Sequence, residues 1–403
     1  MGTVRFSSDD GFDFAVRCIL SGIGYGMADP GEVLATAEAV EGGDLDGWFD
    51  RWTALGAACD RIAEGCAHRG HRESAAQAWL RAANYRFAAF YYVLGTADPG
   101  RHGDAWLAHR RSLDAALAHW ATPVERFEVP WQGTPLRAWH FRAPDPTPRP
   151  VALIHNGLAS PLSDAMMTGA LDGVARGWDV VAFDGPGQGH ARMVDGVGPA
   201  DEWEAVGRAV LDAALARAGV DRGRVAAIGI SDGGYLAARH AGADPRVAAL
   251  VCDPGVVRPV EGALGGLPDA LQQAWRRGDG AAIDAAIDIA GEDPAEAFAL
   301  AKLVEQWPGL GAAEVLARLA RWDLIPLADG IRVPVLIADP DAAMSFPGQS
   351  GALASLLDGR GHLVPFSSAE GAGLDCEIGA PRLRNQRVFD WLDEVLPPPT
   401  RKA

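Results

Sequence analysis

From residue 151 onward the chain alternates short β-branched runs with longer helix-like stretches, and that alternation restricts its fold more than any other feature. The runs span 151–155, 180–184, 225–230, 248–253, 333–339 and 362–366. Strands this apolar must be covered on both faces, which crossover helices between parallel strands provide. The expected class is therefore α/β, with a doubly wound, mostly parallel sheet. Two earlier runs, 124–131 and 136–142, flank Gln132-Gly133 and suggest a hairpin.

Ahead of the hairpin, 12–119 carries Ala, Leu and Arg at helical spacing, broken at Asp29-Pro30, Gly42-Gly43, Gly70 and Asp98-Pro99-Gly100. A chain of 403 residues has room for a helical cap domain, 1–122, beside an α/β core, 123–403, with a helical insertion at about 256–329. The stretch 74–94 holds Tyr85, Phe87, Phe90, Tyr91 and Tyr92. Such a stripe serves as helix core or, where a helical domain caps a catalytic face, as a pocket wall. Tyr85 and Tyr91 are accordingly pocket candidates.

The net charge of −17 argues against nucleic acid as a partner, because phosphate is repelled and no basic surface is available to release counterions. No apolar run approaches the roughly 18 residues needed to span a membrane. Cys18, Cys59, Cys66, Cys252 and Cys376 form no C-x-x-C pair and the N-terminus does not resemble a signal peptide, so reduced thiols in a cytoplasm are expected. Cys66, His68 and His71 lack a distant second ligand pair, so neither metal nor cofactor is expected. The expected partner is a small molecule, with a homodimer left open.

The main chemical signal is Gly229-Ile230-Ser231-Asp232-Gly233-Gly234, which follows the run 225–228 and precedes the helix-like 235–239. Small residues around a serine let a strand turn sharply into a helix and expose Oγ, as in a nucleophile elbow. In an open parallel sheet, reactive groups collect outside the carboxyl ends of the strands. There His155-Asn156-Gly157-Leu158 offers an N–H from Gly157 or Leu158, which with the N–H of Asp232 would form an oxyanion hole. Phe183-Asp184-Gly185-Pro186-Gly187-Gln188-Gly189-His190 reaches the same edge without the lysine or spacing of a phosphate loop. Asp253-Pro254-Gly255 either shapes a pocket wall or ends its strand. His155, His190, Asp253 and Tyr235 join the pocket candidates.

These strings, with Phe346-Pro347-Gly348-Gln349-Ser350, Arg384-Asn385-Gln386-Arg387 and the helical N-terminal region, resemble the helical-capped α/β-hydrolases. That group includes 2,6-dihydroxypseudooxynicotine hydrolase, the fermentation-respiration-switch esterases and the fungal polyketide-shortening hydrolases. The resemblance implies a Ser-acid-His triad and, for several members, retro-Claisen cleavage of a β-diketone-like bond. Where members resemble Glu-Gly-Ala-Asp-x-His-Cys, this chain has Glu370-Gly371-Ala372-Gly373-Leu374-Asp375-Cys376. Asp375 therefore stands at the histidine position, and no histidine follows His362, which precedes the last strand and so belongs to the opposite edge. Registering on Phe346-Pro347-Gly348 puts Ala343 at the acid position, with Asp339 and Asp341 nearby.

Three functions fit. In the preferred one, a non-hydrolytic enzyme, Ser231 and the oxyanion hole polarise the carbonyl of a polyketide-like small molecule. Asp375, with Asp341, then manages protons in aldol-type, elimination or cyclisation chemistry. The second is a carbon–carbon or ester hydrolase with a displaced base, His190 or His155. The third is a binding protein that kept the fold without the triad.

Overall fold

The computed structural model describes residues 4–121, 124–144, 148–289 and 294–397. The chain divides into two compact units, Met1–Val124 with Ile287–Lys302, and Glu125–Ala286 with Leu303–Ala403. The sequence suggested a boundary at 122/123 and kept the whole of 256–329 with the core, whereas Ile287–Lys302 groups with the helical unit.

The first unit is built on α1 (Asp10–Ser21), α2 (Pro30–Glu38), α3 (Leu45–His68), α4 (Arg72–Tyr92) and α5 (His102–His119). Breaks in the sequence become helix starts. The carboxylates of Asp9, Asp29 and Asp44 accept the N–H groups of Phe12, Gly31 and Gly47, donors that would otherwise lack a partner. Pro30 takes the first position of α2, where a missing N–H costs nothing. The core is aromatic: Trp48 packs against Phe12 at 4.4 Å, Trp52 at 5.3 Å and Tyr92 at 5.3 Å between ring centroids. The Trp48 indole N–H donates to the Ala88 carbonyl at 2.8 Å, satisfying a polar group that burial would otherwise leave orphaned.

The second unit holds β1 (Val124–Val129), β2 (Leu136–Phe141), β3 (Arg149–His155), β4 (Asp179–Asp184), β5 (Val220–Ile230), β6 (Ala249–Asp253), β7 (Val335–Pro340) and β8 (Gly361–Phe366). They form one eight-stranded sheet in the order β1-β2-β4-β3-β5-β6-β7-β8. β2 runs antiparallel to β4, and the neighbours from β4 through β8 are parallel. This is an α/β-hydrolase architecture, and the central strands are buried along their length, as strands covered on both faces must be.

The crossovers include α6 (Ala170–Ala175), α7 (Gly189–Met193), α8 (Trp203–Leu215) and α9 (Gly233–Ala243). After β6 come α10 (Pro259–Gly265), α11 (Asp269–Arg276), α12 (Gly280–Ile289), α13 (Pro294–Glu305) and α14 (Ala312–Leu319); α15 (Gln349–Leu356) and α16 (Pro381–Val395) follow. α8 and α9 pack on each other and on β5, while α6 and α16 pack on each other and on β4 and β6 respectively. Register sets His155 beside Gly229 and Ile230 beside Asp253, so the turns after β3, β5 and β6 emerge at one edge.

Candidate active site

Ser231 follows the last residue of β5 and takes φ of +58°, a left-handed conformation that a residue with a Cβ adopts only when its surroundings enforce it. The flanking glycines explain how. A Cβ on Gly229 would lie 2.1 Å from the Gly233 carbonyl oxygen, and one on Gly233 would lie 1.9 Å from that of His155. The Ser231 N–H is fixed by the Asp253 carbonyl at 2.7 Å. Among the described residues, no hydrogen bond reaches Ser231 Oγ.

The loop after β3 comes close: a Cβ on Gly157 would be 3.0 Å from Ser231 Cβ. Asn156 holds this loop to the glycine-rich loop by accepting the Gln188 side-chain N–H at 2.7 Å. Leu158 is buried, and burial pushes the Asp232 carboxyl up to about 6.

Asp375 is nearly buried, and its carboxylate accepts the N–H groups of Met344 and Ser345 and the Ser345 hydroxyl, the last two at 3.0 Å. The turn holding Asp375 therefore grips the segment just after Ala343. It also borders the elbow, since Cys376 Sγ approaches the same Asp253 carbonyl that anchors Ser231. Cys376 and Glu377 both have positive φ there, 54° and 48°.

Several expectations need correction. His155 is fully buried with both ring nitrogens engaged: Nδ1 accepts the Trp203 indole N–H at 3.0 Å, so the proton is on Nε2, which lies 3.2 Å from Nδ1 of His240. His240 Nε2 in turn lies 3.7 Å from the Asp244 carboxylate. Burial, with His240 second, holds the His155 imidazole well below its usual range, so it stays neutral within the packing and serves neither as pocket wall nor as base.

Asp253 is not a pocket residue either. It is fully buried and paired with Arg384 Nε at 2.5 Å. Asp341 is exposed, and its carboxylate accepts the N–H and hydroxyl of Ser368, which hold it below the usual carboxylate range. Tyr85 belongs to the helical core, its hydroxyl donating to Glu32 at 2.7 Å and accepting the Asp29 N–H at 2.9 Å. Tyr91 is half-buried against Tyr92 and Phe298, with the Lys302 ammonium 4.9 Å from its ring.

Other candidates are placed without contradiction. Tyr235 is stacked on Trp322 at 5.6 Å and 8°, and with Asp201, Arg239, Arg321 and Asp323 it lines a cavity of about 300 Å³. His190 lies in the first turn of α7, with its backbone N–H on the Asp184 carboxylate at 3.0 Å and its Nε2 4.0 Å from Asp195. His362 lies at the amino end of β8, paired with Leu336, away from the elbow's edge. Among the described residues no cluster could hold a metal ion, and no helix is long and apolar enough to cross a membrane.

Two carboxyl groups at this edge carry no signal in the sequence. Asp164 follows the Gly157 loop, and burial pushes it up to about 7. Glu377 is buried beside Asp253 and is pushed well above its usual range by desolvation and then by that neighbouring charge. The motif 384–385 also gains a structural reason. Arg384 donates to the Thr168 carbonyl as well as to Asp253, and the Asn385 amide donates to the Met167 carbonyl and to Asp172. In 346–350, Gln349 Oε1 accepts the N–H groups of Val257 and Arg258, and the Ser350 hydroxyl donates to Ala338.

A model of the Alpha/beta hydrolase family matches residues 151–372. The chain is 28% identical to "Hydrolase LUC6" of Fusarium sp, covering 95% of this chain and 96% of that protein. It is also 28% identical to "20-hydroxy-prefusarin hydrolase FUS2" of Gibberella moniliformis, covering 96% and 97%. Among solved structures it resembles the 2,6-dihydroxy-pseudo-oxynicotine hydrolase, with a TM-score of 0.73 at 20% identity over 95% of both chains. AbyA5 follows with a TM-score of 0.64 at 18% identity over 96% of this chain and 98% of that one. At these identities the structural likenesses speak to the fold.

Proposed function

The chain belongs to the alpha/beta hydrolase family, and we propose that it is an enzyme acting on a carbonyl-bearing small molecule by non-hydrolytic lyase or cyclase chemistry. The observation that carries this reading is Ser231: a strained elbow serine whose Oγ has no hydrogen-bond partner among the described residues, while the buried histidine on the adjoining strand is turned onto His240. A serine hydroxyl without a base stays protonated near neutral pH, and losing a triad member costs roughly four powers of ten or more in rate. The amide donors do not depend on a base. They stabilise an enolate oxygen as readily as a tetrahedral one, and enolate chemistry needs only carboxyl groups to carry protons.

In this reading Ser231 and the Leu158 and Asp232 N–H groups hold the substrate oxygen. Asp375, oriented by Met344 and Ser345, takes the α-proton. Aldol-type cleavage, elimination and cyclisation all share that step. A second reading, a hydrolase with His190 as a displaced base, draws on the Asp195 carboxylate near its Nε2 and on the hydrolase names of the relatives.

Reconstruction tests the first reading. Asp375 bonds to the residues beside Ala343, so Asp375→His with Ala343→Glu sets a histidine next to an acid at the family positions. The double variant should acquire p-nitrophenyl acetate hydrolysis that wild type lacks. Efficient hydrolysis by wild type, lost in His190→Ala, would establish the second reading instead.

A further inference from the structure

The cavity beside Tyr235 has no part in the scheme above. Its lining includes none of Ser231, Gly157, His190 or Asp375, so it stands apart from the elbow. Its floor is aromatic and held in place. Tyr235, in the first turn of α9, stacks on Trp322 with ring centroids 5.6 Å apart and planes 8° from parallel. The Trp322 indole N–H donates to Asp201 Oδ1 at 3.1 Å. Pro326 and Leu327 add apolar lining, and Leu327 is 42% exposed. At about 300 Å³ the cavity reaches the lower end of the range that holds small organic molecules, about 300–1,000 Å³.

The charges lining it cancel, since the carboxylates of Asp201 and Asp323 are matched by the guanidiniums of Arg239 and Arg321. Asp323 and Arg239 are already engaged. Asp323 accepts the Ile325 N–H at 2.9 Å and lies 3.2 Å from Arg258, and Arg239 is paired with Glu204 at 2.6 Å. Arg321 and Asp201 keep spare capacity. Arg321 Nη2 stands 3.7 Å from Asp201 Oδ2, too far for a hydrogen bond, and the Arg321 guanidinium donates none among the described residues. Both side chains reach solvent. A donor fork and an acceptor thus lie side by side next to an apolar surface. An anion alone would meet two carboxylates here, and a cation alone two guanidiniums. A molecule with both charges on one carbon, and none overall, satisfies Arg321 and Asp201 together. We propose that this cavity binds an α-amino acid with an apolar side chain. The carboxylate accepts from Arg321, the ammonium donates to Asp201 Oδ2, and the side chain lies against Leu327, Pro326 and the aromatic pair. The site does not depend on the reading of Ser231.

Isothermal titration calorimetry of the full chain with L-phenylalanine tests the proposal. The comparison probes are 3-phenylpropanoate, phenethylamine and glycine, which lack the ammonium, the carboxylate and the apolar side chain respectively. L-Phenylalanine is expected to bind, and each truncated probe to bind about 10-fold more weakly for the contact it loses. Arg321→Gln and Asp201→Asn should each weaken L-phenylalanine about 10-fold, and Asp201→Asn still offers Trp322 an acceptor. Ser231→Ala should bind it as wild type does. Thermal unfolding checks that each variant is folded. No binding of L-phenylalanine to wild type at about 10 mM overturns the proposal. So does 3-phenylpropanoate or phenethylamine binding as tightly as L-phenylalanine. Binding that Arg321→Gln leaves intact, or that a folded Ser231→Ala abolishes, places the ligand elsewhere and overturns it as well.

Discussion

Arg384→Met removes the one guanidinium paired with Asp253, and the size of the effect follows from the surroundings. Asp253 and Glu377 are fully buried and Arg384 is 1% exposed. Arg384 Nε lies 2.5 Å from Asp253 and 3.9 Å from Glu377. Glu377 holds its proton, because burial and the Asp253 charge both disfavour its carboxylate, so the cluster carries one anion and one cation. Methionine keeps most of the volume and leaves the Asp253 carboxylate buried without its counter-charge, a change that costs about 3–5 kcal/mol. Replacing both charges is far less harmful, so Asp253→Asn with Arg384→Met should recover about 2 kcal/mol relative to the sum of the single variants. Urea unfolding followed by circular dichroism measures all four corners of the cycle. A loss below about 1 kcal/mol in Arg384→Met, or strict additivity in the double variant, would refute the assignment of a buried, obligatory pair.

Two other expectations concern the same edge of the sheet. Gly233→Ala would put a Cβ 1.9 Å from the His155 carbonyl oxygen, backbone against backbone, so the elbow must deform; soluble, cooperatively unfolding protein with wild-type stability would contradict that geometry. Asp164 has its folded pKa raised to about 7 from 3.8, so the native state binds more protons than the unfolded one between these values. Its contribution to stability is present below about pH 4 and is lost as pH rises toward 7. Asp164→Asn should therefore stabilise the protein at pH 8, by at most about 4 kcal/mol, and leave it unchanged at pH 4. Parallel stability curves for the two proteins would count against the raised value.

The sheet was legible because its strands are apolar on both faces and its helix starts carry Asp and Pro, and these signals act over a few residues. The elbow was legible for the same reason: Gly229, Ser231 and Gly233 are adjacent, and their crowding is local. Side-chain direction was not. His155 lies on the strand next to the elbow's, and only its packing with Trp203 and His240 turns it into the core. Asp164 gave no sign either, since its environment is made by burial alone. The segment Ile287–Lys302 was placed with the core by its position in the chain, whereas its contacts are with the helical unit.

Whether Ser231 works without an imidazole is decided by its rate of labelling with a fluorophosphonate, read by intact-protein mass spectrometry in wild type and His190→Ala. Ser231, half-buried on a strained turn with no base on its Oγ, should label slowly and at the same rate in both. Rapid stoichiometric labelling of wild-type Ser231, abolished by His190→Ala, would contradict the account and make the protein a serine hydrolase with a displaced base.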